Sequence, residues 1–252
     1  YVTMNLLHLS TPGNSPRMMM EELADRFEAI RDVYIRLAST YQIYIVGGST
    51  PQQRGDKFYN VSLLVTPSGG VYSQDKLHVT PGERKSWGIT PGEALRIFDT
   101  PLGRVAILIC YDIEFPELSR LLALSGVEIV FVPFCTDEQS SFLRVHFSAK
   151  ARAIENYLYV ATSALVGNMP FWTHSSLNYG RSAILTPSDV AFPTGAELGI
   201  ADPNVETIVT SELDLETLAL QRELGSVTPF FYRRINLYNL EARTPLEIIR
   251  AN

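Results

Sequence analysis

The sequence is short of cysteine, of positive charge and of long apolar runs. Its 252 residues hold two cysteines and carry a net charge of -6 at pH 7. So few thiols in a chain of this size are typical of a cytosolic protein rather than of a disulfide-stabilised secreted one. The acidic balance argues against a nucleic-acid or anionic-membrane surface, since both need concentrated Lys and Arg. No apolar run is long enough to span a bilayer, so we expect a cytoplasmic protein with small-molecule partners and no membrane contact.

Several well-known functional motifs are also missing. There is no phosphate-cradling glycine-rich loop, no dinucleotide-binding fingerprint and no Gly-x-Ser-x-Gly elbow, which removes support for nucleotide and serine chemistry. The histidines and cysteines show no metal-ligand spacing, so we expect no metal site. No histidine has the local sequence of a cysteine protease, although a Cys-His pair stays open as an alternative. The histidines are His8, His78, His146 and His174.

Strand and helix patterns alternate along the whole chain and predict a single α/β domain over residues 1–252. Hydrophobic residues make up 46% of the sequence and charged residues 19%, which is ordinary for a globular protein. Helices are predicted at residues 17–41, 116–125, 139–156 and 215–223. Strands are predicted at residues 43–48, 61–66, 71–77, 95–99, 105–109, 128–134, 157–165, 182–186 and 207–213.

Cys110 stands where a buried strand ends and a helix begins. The strand, residues 105–109, is too short and too β-branched for a helix, and Pro116 is a good first residue for the helix that follows. A strand, sharp turn and helix lift a side chain out of a sheet and point backbone N–H groups at it, as a nucleophile elbow does. Taken alone, a cysteine at a strand end is more often a buried hydrophobic side chain than a nucleophile.

Lys76 and Glu83 are the other candidates for a chemical role. Lys76 lies at the end of a predicted hairpin, and Glu83 lies in the Pro- and Gly-rich segment 81–92. This segment is predicted to be a long loop, and long loops in compact domains are usually functional. By itself, either charge is most simply a solvated surface group.

Three segments taken together resemble the nitrilase superfamily of carbon-nitrogen hydrolases. They are Asp-Lys-Leu-His at 75–78, Thr-Pro-Gly-Glu at 90–93 and Ile-Cys-Tyr-Asp-Ile-Glu-Phe-Pro-Glu at 109–117. Residues 151–156, Ala-Arg-Ala-Ile-Glu-Asn, are similar to the helix end Arg-Ala-x-Glu-Asn of this family. The resemblance runs from the helix at residue 17 to about residue 225. Segments 83–87, 133–137 and 225–227 resemble most the branch that is sometimes fused to an acetyltransferase domain.

The resemblance implies an α-β-β-α sandwich with mixed sheets, expected to form a homodimer or a higher homo-oligomer. It also implies a Glu-Lys-Cys triad that hydrolyses a small non-peptide amide or nitrile and needs no cofactor. Cys110 would attack the substrate carbon, and water would resolve the resulting thioester. Lys76 and the backbone N–H of Tyr111 would stabilise the oxyanion. Glu83 would position the substrate or aid proton transfer, and Phe134 would lie in the substrate pocket.

The first glutamate of this family, the general base, is not found where the resemblance puts it. It follows a first long strand in a Pro-Glu pair, and residues 1–7 resemble the stretch directly after that pair. We therefore expect the sequence to start one residue past the base, without the first strand and the first glutamate. Glu21 and Glu22 are poor substitutes, since they are expected on a solvated helix face. Two other hypotheses stay open, a non-catalytic relative used for binding or assembly and an enzyme that passes the thioester to an amine.

Overall fold

The structure, a computed structural model, describes residues 2–9, 15–168 and 177–252, with the backbone alone at residues 5, 8 and 9. The helices are α1 (Pro16–Ala24), α2 (Phe27–Tyr41), α3 (Pro116–Leu124), α4 (Gln139–Asn156) and α5 (Leu215–Leu224), with short helical turns at Val2–Leu9, Glu83–Trp87 and Cys110–Glu114. The strands are β1 (Ile45–Arg54), β2 (Lys57–Val65), β3 (Val71–Asp75), β4 (Arg96–Thr100), β5 (Gly103–Ile107), β6 (Ile129–Cys135), β7 (Tyr159–Leu165), β8 (Gly167–Asn168), β9 (Leu177–Asn178), β10 (Ala183–Leu185), β11 (Glu197–Ile200) and β12 (Glu247–Arg250). None of the helices in these ranges combines the length and the apolar character needed to cross a bilayer.

Two sheets form the centre of the fold. β1, β2 and β3 make an antiparallel sheet in that order. The larger sheet has the order β11-β10-β7-β6-β5-β4-β12 and mixes parallel with antiparallel pairs. Its central strands β5, β6 and β7 are parallel. Because parallel strands end at one edge of a sheet, Cys110 after β5 and Cys135 at the end of β6 come side by side.

The strands place alternate side chains in different cores, which defines the layers. On β5, Val105 and Ile107 pack between the two sheets, whereas Ala106 packs on the face covered by α3 and α4. On β2, Leu63 packs under α2 and Leu64 faces the larger sheet. The layers are therefore helix, sheet, sheet and helix, and the predicted α-β-β-α sandwich with mixed sheets is confirmed.

The single helix predicted at residues 17–41 was wrong, because the segment forms α1 and α2 with a break at Asp25 and Arg26. Leu23 of α1 packs into a core with the Val2–Leu9 turn and the start of β2. Phe27 of α2 packs instead on the outer face of the three-stranded sheet. One straight helix cannot serve two cores in different directions, and the apolar spacing alone does not reveal the change.

The predicted and observed strand boundaries differ most where a glycine pair was interpreted as the end of a strand. The strand predicted at 43–48 continues to Arg54, and its register shifts between Val46 and Ser49. Gly48 has a φ of +68°, so the glycine pair forms a bulge inside an edge strand rather than ending it. The strand predicted at 207–213 was wrong, since these residues have no strand pairing. β11 and β12 were not predicted, because each is only four residues long, and β12 also pairs with β4, which is distant in sequence.

Candidate active site

Cys110 starts a tight turn directly after the strand end. Its φ is +52°, in the left-handed region that a non-glycine residue seldom adopts. The short helical turn Cys110–Glu114 follows, and α3 begins at Pro116. The strand, turn and helix predicted around Cys110 are confirmed. Strained backbone of this kind persists only where its surroundings hold it, and it clusters at functional sites.

Asp112 holds this turn against the segment that carries Lys76. The buried carboxylate accepts from the backbone N–H of Ile109 at 3.1 Å, of Leu77 at 3.3 Å and of His78 at 2.7 Å. It also lies 3.0 Å from Nδ1 of His78. One carboxylate thus joins the end of β5 to the chain after β3. Sequence analysis missed this role, although Asp112 lies inside a segment that carries the family resemblance.

Lys76 and Glu83 form a buried ion pair, with side chains 2% and 4% exposed. Nζ of Lys76 donates to both carboxylate oxygens of Glu83, at 2.8 and 2.7 Å. Burial alone lowers the pKa of Lys76, but the charges of Glu83 and Cys110 more than offset it, so this pKa lies above its ordinary value. Lys76 is therefore an ammonium at neutral pH, and Glu83 takes up two of its three N–H donors.

The backbone of Lys76 is held on both sides. Its N–H donates to the carbonyl oxygen of Asn60 at 2.8 Å, and its carbonyl oxygen accepts from the N–H of Gly92 at 2.8 Å. Glu83 is held as well, since its carboxylate accepts from the N–H of Thr80 at 2.8 Å. The position of the ammonium group is thus determined by three separate parts of the chain.

A cavity of about 100 Å³ collects these groups. This small volume suits a reacting group with a short acyl chain. The lining residues are Asn60, Lys76, Thr80, Glu83, Trp87, Ile109, Cys110 and Cys135. The structure therefore brings together Cys110, Lys76 and Glu83, the three residues predicted to be catalytic.

Cys135 lies beside Cys110 in the cavity wall. Its carbonyl oxygen is 3.7 Å from Sγ of Cys110, and its own thiol donates to Oδ1 of Asn178 at 3.0 Å. Desolvation of the thiol raises the pKa of Cys135 to about 11. Cys135 is thus a protonated thiol at neutral pH, which leaves Cys110 as the sulfur suited to nucleophilic chemistry.

Tyr111 and Phe134, the two predicted substrate contacts, do not line this cavity in the part of the chain that the structure describes. The ring of Tyr111 packs edge-on against Phe115, with centroids 4.9 Å apart. Phe134 is buried on the helix-covered face of the larger sheet, where it stacks on Phe142. The backbone role of Tyr111 and the pocket role of Phe134 stay predictions.

The histidines give little support to a Cys-His pair. His78 lies against Asp112 and stacks on Phe115, with centroids 3.6 Å apart. Burial lowers the pKa of His146, which faces Glu197. The side chain of His8 and the whole of His174 lie outside the described residues. Within the described ranges, no group of three or more His, Cys, Asp and Glu side chains is arranged to hold a metal ion.

Asn60 is a further lining residue that sequence analysis did not identify. It lies inside β2 and is 1% exposed. Neither Oδ1 nor Nδ2 has a hydrogen-bond partner among residues 2–9, 15–168 and 177–252. The available clue was an asparagine between the apolar residues Phe58, Tyr59 and Val61, where a polar side chain needs a reason.

The layered fold and this cavity define the class of protein, a nitrilase-type α/β sandwich with a cysteine at the end of a parallel strand. The chain belongs to the carbon-nitrogen hydrolase family, whose model matches residues 17–223. The resemblance to the nitrilase superfamily is thereby confirmed.

Similar proteins agree with this assignment. A probable hydrolase of Bacillus subtilis (strain 168), YhcX, is 40% identical over 227 residues, which are 90% of this chain and 44% of that protein. Omega-amidase NIT2-A of Xenopus laevis is 30% identical over 217 residues, 82% of this chain and 74% of that protein. The structure of Nit3 from Saccharomyces cerevisiae, a member of branch 10 of the nitrilase superfamily, matches with a TM-score of 0.68 and 29% identity, over 77% of this chain and 68% of that one. This chain therefore spans less than half the length of its Bacillus relative.

Proposed function

We propose that this protein is an amidase that hydrolyses a small non-peptide carbon-nitrogen bond, with Cys110 as its nucleophile. The observation that carries the proposal is the single cavity lined by Cys110, Lys76 and Glu83. Membership of the carbon-nitrogen hydrolase family supports it. The amidase name of one relative favours an amide over a nitrile substrate.

In the first half-reaction, the thiolate of Cys110 attacks the amide carbon and forms a C–S bond. The negative charge that develops on the carbonyl oxygen is stabilised by the remaining N–H of Lys76 and by the backbone N–H of Tyr111. The amine nitrogen takes up the proton that the general base removed from the thiol of Cys110, and the C–N bond breaks as the amine leaves. In the second half-reaction, water attacks the thioester, which releases the carboxylic acid and restores the thiol of Cys110.

The proton steps need a base as well as the ion pair of Lys76 and Glu83. Glu83 holds the ammonium of Lys76 in place, which suits a positioning role. The family resemblance implies that this base is the first glutamate of a Glu-Lys-Cys triad. Sequencing the gene upstream of Tyr1 tests this: a Pro-Glu pair after an apolar strand supports the hydrolase, whereas its absence favours a non-catalytic relative.

The proposal extends to the size of the substrate and to the oligomeric state of the protein. A cavity of about 100 Å³ favours a short acyl group. We also propose a cytoplasmic homodimer, and exposed apolar side chains near the C-terminal end of the chain support the dimer. No cofactor takes part in the two half-reactions.

Mass spectrometry of the acyl-enzyme tests the nucleophile. The protein is treated with 4-nitrophenyl propionate, whose leaving group needs no proton, and in parallel with propionamide. We expect one propionyl group on Cys110, which is absent in the Cys110→Ala variant and kept in Cys135→Ala. A folded protein that gains no adduct from the ester, or that gains it at another residue, would show that Cys110 is not the nucleophile. Ammonia release from propionamide then reports the complete reaction.

A further inference from the structure

Asn60 has an environment that the proposed function does not yet explain. Buried polar side chains in native proteins are nearly always hydrogen-bonded, so each exception calls for a reason. Asn60 is 1% exposed, and both of its polar atoms lack a partner within the described ranges. Leaving a buried amide unpaired is costly, so a ligand that pairs with both of its polar atoms would be stabilised in this cavity.

The strand geometry directs Asn60 to the reacting groups. On β2, Val61 and Leu63 pack toward α2, so Asn60 belongs to the opposite face. The carbonyl oxygen of Asn60 accepts from the N–H of Lys76, and its side chain lines the same cavity as Cys110. The unpaired amide is therefore held, by backbone hydrogen bonding, beside the predicted oxyanion and nucleophile positions.

We propose that Asn60 recognises the carboxamide group of the substrate and makes the site selective for primary amides. This inference rests on the proposed function. A primary amide presents an oxygen and an N–H on one edge, and so does the side chain of asparagine. Oδ1 of Asn60 accepts from the substrate NH2 group, and Nδ2 donates to the carbonyl oxygen. That oxygen has two lone pairs, so it can accept from Asn60 and from Lys76 together.

The same pairing discriminates against esters, N,N-dialkyl amides and nitriles. An ester or an N,N-dialkyl amide has no N–H to give to Oδ1, and a nitrile lacks both the N–H and the carbonyl oxygen. Each of these ligands leaves a buried polar atom unpaired, which is how sites built for a hydrogen bond reject analogues that cannot make it. Asn60 thereby determines specificity at the nitrogen end of the substrate.

Competition against the ester measures this recognition without requiring turnover of the amide. Acylation of Cys110 by 4-nitrophenyl propionate is followed while propionamide competes, and its inhibition constant is obtained for each variant. Asn60→Leu keeps the shape of the side chain and removes both polar atoms. We expect it to raise the inhibition constant of propionamide by about 10-fold or more, as for a lost buried hydrogen bond. N,N-dimethylpropionamide has no N–H, so its inhibition constant should differ far less between the wild type and the variant.

Ser62 supplies a matched control. It lies two residues further along the same face of β2 and is also buried with an unpartnered side-chain oxygen among the described residues, but it does not line the cavity. Ser62→Ala should leave the inhibition constant of propionamide at the wild-type value. An equal rise in Ser62→Ala and Asn60→Leu would mean that disturbance of β2, rather than recognition, causes the effect.

The thermal stability of the Asn60 variants distinguishes a role of Asn60 in substrate recognition from a structural role. Because Asn60→Leu replaces an unpaired amide by an apolar group of the same shape, its melting temperature should equal or exceed that of the wild type. If Asn60→Leu does not fold, Asn60→Ala, which cannot overpack, carries the same test. An unchanged inhibition constant in a folded Asn60 variant, or no inhibition of the wild type by propionamide, overturns the inference while the nucleophile stands. A wild type that the ester does not acylate at Cys110 overturns the proposed function and this inference with it.

Discussion

Lys76 and Glu83 are charged side chains in a buried site, where an unpaired charge is costly. Each charge is tolerated because it is paired with the other. Removing one member of a buried pair leaves the other unpaired, which typically costs about 3–5 kcal/mol. We therefore expect Glu83→Gln to lower the free energy of unfolding by about 3 kcal/mol. It should also lower the pKa of Lys76, because burial then acts without the opposing carboxylate. Chemical denaturation measures the first effect.

A double-mutant cycle shows whether this loss belongs to the pair. Lys76→Met combined with Glu83→Gln should be more stable than the sum of the single losses predicts, since no unpaired charge is left. Glu212→Gln, at an exposed position outside the helices and strands, is the control and should be neutral. Strictly additive losses would contradict the coupling of Lys76 with Glu83.

The two cysteines should differ sharply in reactivity. With a pKa of about 11, Cys135 holds almost no thiolate at pH 7, and thiolate is the form that iodoacetamide alkylates. We expect iodoacetamide to modify Cys110 first, and modification of Cys135 to accelerate as the pH approaches 11. Peptide mapping after timed labelling measures both rates. Faster labelling of Cys135 at pH 7 would contradict the assignment of Cys110 as the reactive thiol.

Among the elements, the chain around Lys76 is packed too closely to accept even a methyl group. A Cβ on Gly92 would stand 2.6 Å from Cβ of Asp75 and 3.1 Å from its carbonyl oxygen. Gly92→Ala therefore strains the hydrogen bond between residue 92 and Lys76. We expect a loss of about 1–3 kcal/mol in the free energy of unfolding, as for overpacking in general, and slower acylation of Cys110.

Gly82 provides the comparison within the same loop. It has an ordinary helical φ of -65°, and a Cβ there meets no atom of the described residues within 4 Å. Gly82→Ala should keep the wild-type acylation rate and gain slightly in stability, since alanine has less conformational freedom to lose. If the two alanine variants behave alike, close packing at Gly92 does not position Lys76.

Elements with local determinants could be predicted from sequence, and the others could not. α4 begins and ends at the predicted residues 139 and 156, because one amphipathic stripe defines it. The break before α2 and the pairing of β12 with β4 depend on which surfaces meet in the fold, and no local pattern carries that information. The residues of the site also fall into a group that the sequence predicts and a group that only the fold reveals. Cys110, Lys76 and Glu83 follow from family resemblance, whereas Asn60 becomes visible only when β2 is seen to face the end of β5.

At the scale of the whole molecule, Asp189 joins three distant segments. Its carboxylate accepts from the hydroxyl of Tyr157 at 2.6 Å, and from the N–H and hydroxyl of Ser226 at 2.9 and 2.7 Å. These hydrogen bonds lower the pKa of Asp189 to about 2. A folded-state pKa below the unfolded value means that the carboxylate stabilises the fold above about pH 4, and that this contribution is lost as the pH falls toward 2.

An acid series with Asp189→Asn measures this contribution. Above about pH 5 the carboxylate of Asp189 is ionised in both the folded and the unfolded wild type. The free energy of unfolding of the wild type should therefore exceed that of the variant by a constant amount in this range. The difference should narrow between pH 4 and pH 2. Denaturant unfolding at several pH values provides the comparison, and a difference that does not change with pH would show that ionised Asp189 adds nothing to stability.

The surface near the C-terminal end of the chain carries a concentration of apolar side chains that a monomer has little reason to expose. Six large apolar residues within residues 227–238 are 59 to 74% exposed: Val227, Phe231, Tyr232, Ile235, Leu237 and Tyr238. Exposed apolar patches on soluble proteins commonly mark interaction sites. Because the family resemblance implies a homodimer, we expect a second copy of the chain to cover this segment.

Sedimentation velocity on charge variants tests that expectation. The wild type should sediment as a dimer or a larger oligomer, and the double variant Tyr232→Lys, Ile235→Lys should shift to monomer, because two lysines cannot be buried unpaired at an apolar interface. Val190 and Ile208 are 91% and 86% exposed but lie outside the segment, so Val190→Lys and Ile208→Lys should keep the wild-type assembly. A monomeric wild type, or an oligomer that both sets of variants leave intact, would show that residues 227–238 do not form the dimer contact.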